Sequence, residues 1–569
     1  MIKYAVMFQL IVPLVCFIGD RKKSEKILQG AVFLSVLTAI AVTFFMISQL
    51  ISPISEYLSI YDFVTIKNVR CEFGLLSDSL SIVSTWVICI ITAIANCYSL
   101  GYVKKNLGNF LFRLNLLPPA AILFTASNNL LQMYVFWEIL VIISYFLVAF
   151  NDKCFSSKTA LEMFAHNKFG NIGFIISMAA LFHVFGNLDF GEMNKFLIGN
   201  DAQLKKLEII ATIMLLSICI KSAQIISSNW IQNIMCAPMS ASALVHSSTL
   251  LTAGVFLLIR LQSLFECSEL IQNFTIIIGL FSAVMYSIKA IFSDSLHKIF
   301  AHSTCSQIGL MIMACGFSSY GAALILFVSH AFSKASLLFS TGSVIYALSG
   351  ERDMRRMGGL FELLPKTYIS FILGVVSMIG IPLLPSYYSR KILLNEIMGS
   401  NLSICDIALI FIIIVSILTS VYLFRMVYMI FHGKTKLTEI SLAYLNEDES
   451  FIIHSLYVSV FFAIFSGVFF YYAMYDDAVW KDVFAFSYAK NNYKIFVFSV
   501  INFIGIAVAI PLCKLIKSRN LSPKFDWNID SHLKTPASKL IRSIDSTFYK
   551  KCYLFVAHKS KRNSDNAGK

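Results

Sequence analysis

Residues 209–224 read IIATIMLLSICIKSAQ, an apolar run that ends in Lys221 and the polar stretch Lys221-Ser222-Ala223-Gln224. A charged group at the centre of a bilayer costs about 2.5–3.5 kcal/mol even on the lenient insertion scale, so it usually faces a protein interior and marks an ion path. Snorkelling at a helix end is the alternative for Lys221, since polar Ser227-Ser228-Asn229 follows closely. The same pattern recurs outward along the chain. Glu138 follows the apolar Met133–Trp137, and His246, His330 and Lys334 lie inside further apolar stretches. A chain with several such residues reads as one that moves ions.

The composition sets the class. Mean hydropathy is +0.74, and 57% of the 569 residues are hydrophobic against 14% charged. About 15 apolar runs meet the roughly 20-residue criterion for crossing a bilayer core. They centre near residues 11, 39, 89, 119, 139, 176, 217, 251, 283, 308, 335, 377, 417, 463 and 504. The runs are helix-length and lack the dyad alternation of barrel strands, so the expected fold is an all-α, polytopic membrane helical bundle. The first run, Tyr4–Ile18, is followed by Asp20-Arg21-Lys22-Lys23 and no small-residue cleavage site, which reads as a retained helix.

The net charge of +14 follows topology and is not a nucleic-acid signal. Basic residues fall in alternate loops, at Arg21 to Lys23, Lys104-Lys105, Lys153 with Lys158, Arg352 to Arg356 and Lys434 with Lys436, while the other loops hold Glu56, Asp62, Asp189, Glu192, Asp476 and Asp477. The positive-inside rule then places the N-terminus outside and the C-terminus in the cytoplasm. From Lys514 onward the chain carries 13 Lys/Arg against 4 Asp, a basic segment suited to anionic lipid or an acidic partner. The expected organisation is N-terminal spans over 1–110, a core over 111–435, C-terminal spans over 436–515 and a basic tail over 516–569. The 13 cysteines show no CxxC spacing and read as small core hydrophobes. No GxGxxG, P-loop or metal-spaced His/Cys cluster occurs, so no cofactor or metal is expected on this chain.

Several residues could carry protons. His330 and Lys334 are four apart, one turn along one helix face, with Ser329, Ser333 and Ser336 around them. Imidazole titrates near physiological pH, and a neighbouring lysine allows hand-off along that face. Glu138 needs a buried partner, and the nearest basic candidate in an apolar segment is Lys168 on the next helix. His246 sits among Ser240, Ser242, Ser247, Ser248 and Thr249, where a hydrogen-bonded structural histidine is an equal reading. Pro238 precedes the His246 helix, and Pro382 and Pro385 interrupt the apolar run that ends at Arg390-Lys391; discontinuous helices expose backbone ends that guide ions in transporters, and such prolines can equally be simple kinks.

The motifs Phe136-Trp137-Glu138-Ile139-Leu140, Lys221-Ser222-Ala223-Gln224, Ser242-Ala243-Leu244-Val245-His246, Thr252-Ala253-Gly254-Val255, Ser303-Thr304-Cys305-Ser306-Gln307-Ile308-Gly309, His330-Ala331-Phe332-Ser333-Lys334, Asp353 to Leu360 and Phe431-His432-Gly433-Lys434 follow one another in order. Over residues 75–435 this pattern resembles the antiporter-like membrane subunits of respiratory complex I, specifically the subunit L (mitochondrial chain 5) family. The resemblance implies two inverted five-helix repeats with broken helices. It also implies a central polar row in which Glu138 interacts with Lys221, and His246 and Lys334 continue toward an exit position at Arg390. The implied function is proton translocation through this Glu/Lys/His relay, coupled to quinone reduction elsewhere in the complex, with His330, His297, Lys168 and Arg390 accessory.

The sequence also departs from the family. Arg390 and His297 stand where the family has lysine, Lys168 replaces arginine, Asn171 replaces aspartate and Leu326 replaces a histidine. Prolines are lost at Ile226, Gln232 and Ser240. The resemblance further implies a long lateral helix and one more span after the core, and no apolar span follows Leu515. Two alternatives stand beside the complex I reading. One is a membrane subunit of a cation/proton antiporter or ion-uptake complex without redox partners; the other is a degenerate structural paralogue. The expected partners are other integral membrane subunits and the lipid bilayer. The expected location is a bacterial inner membrane, with the mitochondrial inner membrane as alternative.

Overall fold

In lipid the backbone must satisfy its own polar groups, so apolar runs of spanning length become helices. A computed structural model of the chain describes residues 2–51, 55–66, 69–150, 154–197, 204–224, 229–400, 402, 404–433, 447, 450–475, 504–508 and 511. The basic tail over 516–569 and the expected absence of a lateral helix lie outside the described residues. The elements in chain order are α1 (Ile2–Lys22), α2 (Glu25–Ile51), β1 (Glu56–Ile66), β2 (Val69–Ser77), α3 (Ser79–Tyr102), α4 (Leu107–Asn115), α5 (Leu117–Thr125), α6 (Leu130–Val148), α7 (Cys154–Phe185), α8 (Phe190–Leu197) and α9 (Leu204–Lys221). They continue with α10 (Asn229–Ile234), α11 (Met239–Ser247), α12 (Ala253–Arg260), α13 (Gln262–Phe265), α14 (Glu269–Phe292), α15 (Leu296–Gly316), α16 (Tyr320–Ala347), α17 (Pro365–Ile379), α18 (Pro385–Gly399), α19 (Cys405–Phe431) and α20 (Ser450–Tyr475).

Among the described residues, 11 helical segments are long and apolar enough to cross a membrane. The sequence suggests about 15 by the same roughly 20-residue criterion, and the difference is instructive. The runs near 217, 251 and 377 fold as interrupted helices, α9–α10, α11–α12 and α17–α18. Only 504–508 and 511 are described near the run at 504. Two series of five elements follow each other: α4–α5, α6, α7, α9–α10, α11–α12, then α14, α15, α16, α17–α18, α19. An odd number of crossings separates their starts, so the second series threads the bundle in the reversed sense.

The core sits on α15 and α16, whose apolar windows are wholly buried. Helix α16 packs against α3, α11, α15, α17, α18 and α20. Helices α14 and α15 cross at Gly279 and Gly309, where a Cβ on either residue would lie 2.6–2.7 Å from the carbonyl oxygen of the other. Small residues at such crossings let two membrane helices approach closely.

The all-α expectation omits one element. Strands β1 and β2 form an antiparallel hairpin, with Glu56 opposite Ser77. It is fastened over the α5–α6 junction: Leu76 N–H donates to the Ala126 carbonyl (2.7 Å), and Gln132 exchanges hydrogen bonds with both backbone groups of Gly74 (2.9 and 3.1 Å). Asp78 then caps α3 through a reciprocal bond with Ser81. Its carboxylate also pairs with Arg260 at the end of α12, which donates to the Thr125 carbonyl. Burial works to raise the Asp78 pKa, and Arg260 and Ser81 overcome it, so the carboxyl sits below its usual range. A second clasp joins Asp294 to Arg425 (2.5 Å) and Arg355 (3.6 Å). The 24 residues of α14 separate the two clasps, about 36 Å along the helix, so they secure opposite ends of the bundle.

Candidate proton-transfer site

Glu138 is held on α6, which starts at the Asn129 cap accepting from the Gln132 N–H (2.7 Å). Each of its carboxylate oxygens takes one lysine. Lys221 Nζ donates to Oε1 at 2.7 Å, and Lys168 Nζ, from α7, donates to Oε2. Lys221 also donates to Asn171 Oδ1 at 2.6 Å, and its Nζ lies 4.7 Å from the centre of the Trp137 ring. Lys221 is wholly buried, Glu138 mostly so, and Lys168 is half-buried. Two ammonium groups therefore share one carboxylate beside a neutral amide. Fully ionised, the cluster keeps a net charge of +1, and loss of one proton neutralises it.

The backbone prepares this arrangement. Helix α9 stops at Lys221 because Ala223 adopts a left-handed conformation (φ 56°). The Gln224 N–H bonds to the Cys219 carbonyl (2.7 Å) and the Ala223 N–H to Ile220 (3.2 Å), the double closure of a Schellman end. Lys221 thus sits in the last helical turn, where the macrodipole favours a cation. Gly170 on α7 leaves room for its stem; a Cβ there would meet Lys221 Cγ at 2.6 Å.

The second group of residues is buried throughout. His246 ends the short helix α11 just before the break at Ser248–Thr252, is wholly buried, and neither ring nitrogen has a hydrogen-bond partner among the described residues. It lies within electrostatic reach of Lys334, His330 and His297. The His330 ring faces the His246 backbone. Lys334 is wholly buried and donates to the Phe300 carbonyl on α15 at 2.8 Å. His297, near the start of α15, is buried and lies within electrostatic reach of His246 and of Arg352 in the loop after α16. A cavity of about 20 Å³, lined in part by Ser84, Thr125, Ser248, Thr249 and Thr252, adjoins the α11–α12 break and is roomy enough for one water.

The structure therefore gathers Glu138, Lys168 and Lys221 into one ionic cluster and His246, His330, Lys334 and His297 into another. Among the described residues no hydrogen bond joins the two. Ser222, next to Lys221, carries a hydroxyl without a hydrogen-bond partner among the described residues and packs against Gly254 at the start of α12. Arg390 stands apart from both, buried at the α17–α18 break. Sequence reasoning missed the Asp78–Arg260 pair; its one signal was Asp78 before an apolar run with Ser81 three residues on, an N-cap pattern.

A bundle with two interrupted-helix series and a buried row of Glu, Lys and His side chains defines an antiporter-like membrane subunit of the proton-translocating class. Residues 127–419 match the family described as NADH:quinone oxidoreductase/Mrp antiporter, TM, and the chain belongs to that family. It is 32% identical over 463 residues to NADH-quinone oxidoreductase subunit L of Rickettsia typhi, covering 80% of this chain and 70% of that protein. It is 30% identical over 510 residues to NADH-ubiquinone oxidoreductase chain 5 of Dictyostelium citrinum, covering 85% and 75%. In fold it resembles a chain of the Mrp complex from Dietzia sp. DQ12-45-1b, with a TM-score of 0.76 at 18% identity. That match covers 97% of this chain and 59% of the Dietzia chain. Relatives of this kind are subunits of multi-subunit membrane complexes, and this chain is a multi-pass membrane subunit.

Proposed function

We propose that this chain conducts protons across the membrane through Glu138, Lys221, His246 and Lys334, with Lys168, His330 and His297 as accessory carriers. The observation that carries the reading is the shared carboxylate. Glu138 holds two lysines at once, so a small displacement of either lysine changes which one retains the excess proton. His246 and His330, with ring nitrogens not committed to strong hydrogen bonds, receive and pass protons in the second cluster. No covalent chemistry is involved; transfer is driven by changes in the electrostatic surroundings of each group.

In this reading the chain works inside a respiratory complex resembling complex I, where quinone reduction on partner subunits drives the displacement and this chain holds no cofactor. The membrane is the bacterial inner membrane, with the N-terminus outside and the C-terminus in the cytoplasm. The test is proton flux in pyranine-loaded vesicles containing the full assembly, driven by an imposed potassium diffusion potential. Lys221→Ala should abolish the flux; unchanged flux would remove the assignment. Mass identification of co-purifying subunits separates the settings. Flavin and iron–sulfur subunits support the respiratory one, and membrane subunits alone indicate a redox-free antiporter or uptake assembly.

A further inference from the structure

We infer that Arg390 closes the α17–α18 break to protons: it is a positioning residue that pins the end of α17 with a fixed charge, and not a link in the relay. The inference rests on the proton-conducting reading above and concerns where the path does not go. Helix α17 ends at Ile379, with Gly380 left-handed (φ 84°), and α18 restarts at Pro385. The last carbonyls of a helix lack intrahelical partners. Arg390, in the second turn of α18, reaches back to them: Nη1 donates to the Ile379 carbonyl at 2.7 Å and Nη2 to Met378 at 3.3 Å. The side chain is 1% exposed, and among the described residues no carboxylate pairs with it.

A relay member must accept a proton and release it. A guanidinium has five donors and no acceptor and keeps its proton. With no acceptor atom, and with Nη1 and Nη2 each bonded to a backbone carbonyl, Arg390 has no means of carrying one, and its permanent charge opposes the approach of another cation. The neighbouring hydroxyls agree. Ser329 donates to Ser389 (3.3 Å), and Ser389 turns back to its own helix at the Ser386 carbonyl. Ser333 meets Ser377 (2.8 Å), which donates to the Ala463 carbonyl (2.6 Å). Both ladders leave the His330–Lys334 face and end on backbone. Lys334 itself points to α15, through the Phe300 carbonyl, and not to the break.

The experiment compares the starting protein, Arg390→Lys and Arg390→Gln as full assemblies in the pyranine vesicles, with membrane abundance measured in parallel. Glutamine keeps an amide donor for one carbonyl and removes the charge; lysine supplies a group that can release its proton. Both variants should raise flux at least threefold, and Arg390→Lys should add an alkaline limb to the flux–pH profile, which a purely structural role would not produce. Flux unchanged or lowered in either variant at normal abundance overturns the inference. Should one variant fail to accumulate, the other decides. Loss of flux in Lys221→Ala, measured alongside, keeps the two readings apart. Lys221-dependent flux without a gain at 390 defeats only the inference, and absence of Lys221-dependent flux defeats the conducting reading.

Discussion

At the end of α9 the buried cation is Lys221; at the end of α17 it is Arg390, reaching back from α18. Both helices stop on a left-handed residue, Ala223 in the first and Gly380 in the second. The difference lies in what receives the positive charge. Lys221 is held by two side chains, Glu138 and Asn171, whereas Arg390 is held by two backbone carbonyls. A carboxylate can move and change its own charge, and a peptide carbonyl can do neither. The same device, a helix cut in mid-membrane, therefore gives a movable charge in one series and a fixed one in the other.

The sharpest way to break this contrast is to remove the movable partner. Glu138→Gln leaves Lys168 and Lys221 without an anion, and taking one member from a buried pair costs about 3–5 kcal/mol. Flux should vanish and the melting temperature in detergent should fall. Retained flux would mean that the carboxylate is only structural. A smaller effect is expected from Gly170→Ala, whose Cβ would press on Lys221 Cγ. A displacement that costs about 1.4 kcal/mol in the transfer step slows flux about tenfold. Gly173→Ala meets Ser217 instead of the lysine, so it serves as the packing control, and equal slowing in both variants would break the link to Lys221. The smallest effects come from the helix ends. A left-handed non-glycine residue costs about 1–2 kcal/mol, so Ala223→Gly should raise the thermal midpoint slightly and Gly380→Ala should lower it. Shifts of the same sign would show that the two ends are not equivalent.

Much of the site could be read from charges stranded in apolar runs. Lys221, His246, His330 and Lys334 stand out because burying them demands a reason, and Lys168 stood out as a partner for Glu138 because the next helix had to supply one. That one carboxylate serves both lysines was beyond sequence reasoning, since it depends on the crossing of α6, α7 and α9. Pro382 and Pro385 announced the α17–α18 break, whereas Pro238 marks the start of α11 and not the α11–α12 break. The break after Lys221 carries neither proline nor glycine, and its Schellman closure rests on a strained alanine. The hairpin escaped notice because its alternation, Tyr57, Ser59, Tyr61, is brief beside the long apolar runs that flank it. Arg390 was visible as a departure from a family pattern, but its role as a cap appears only once α18 folds back on α17.

The clasp between Asp78 and Arg260 has a consequence for how the protein is made. Its two members are 182 residues apart in the chain, and at about 5–20 residues per second synthesis leaves an interval of about 10–40 s between them. Until Arg260 is made, the Asp78 carboxylate has Ser81 to hold but not its arginine. The hairpin's other fastenings, at Ala126 and Gln132, lie earlier in the chain, so the arginine clasp is the last of the three whose members are all synthesised.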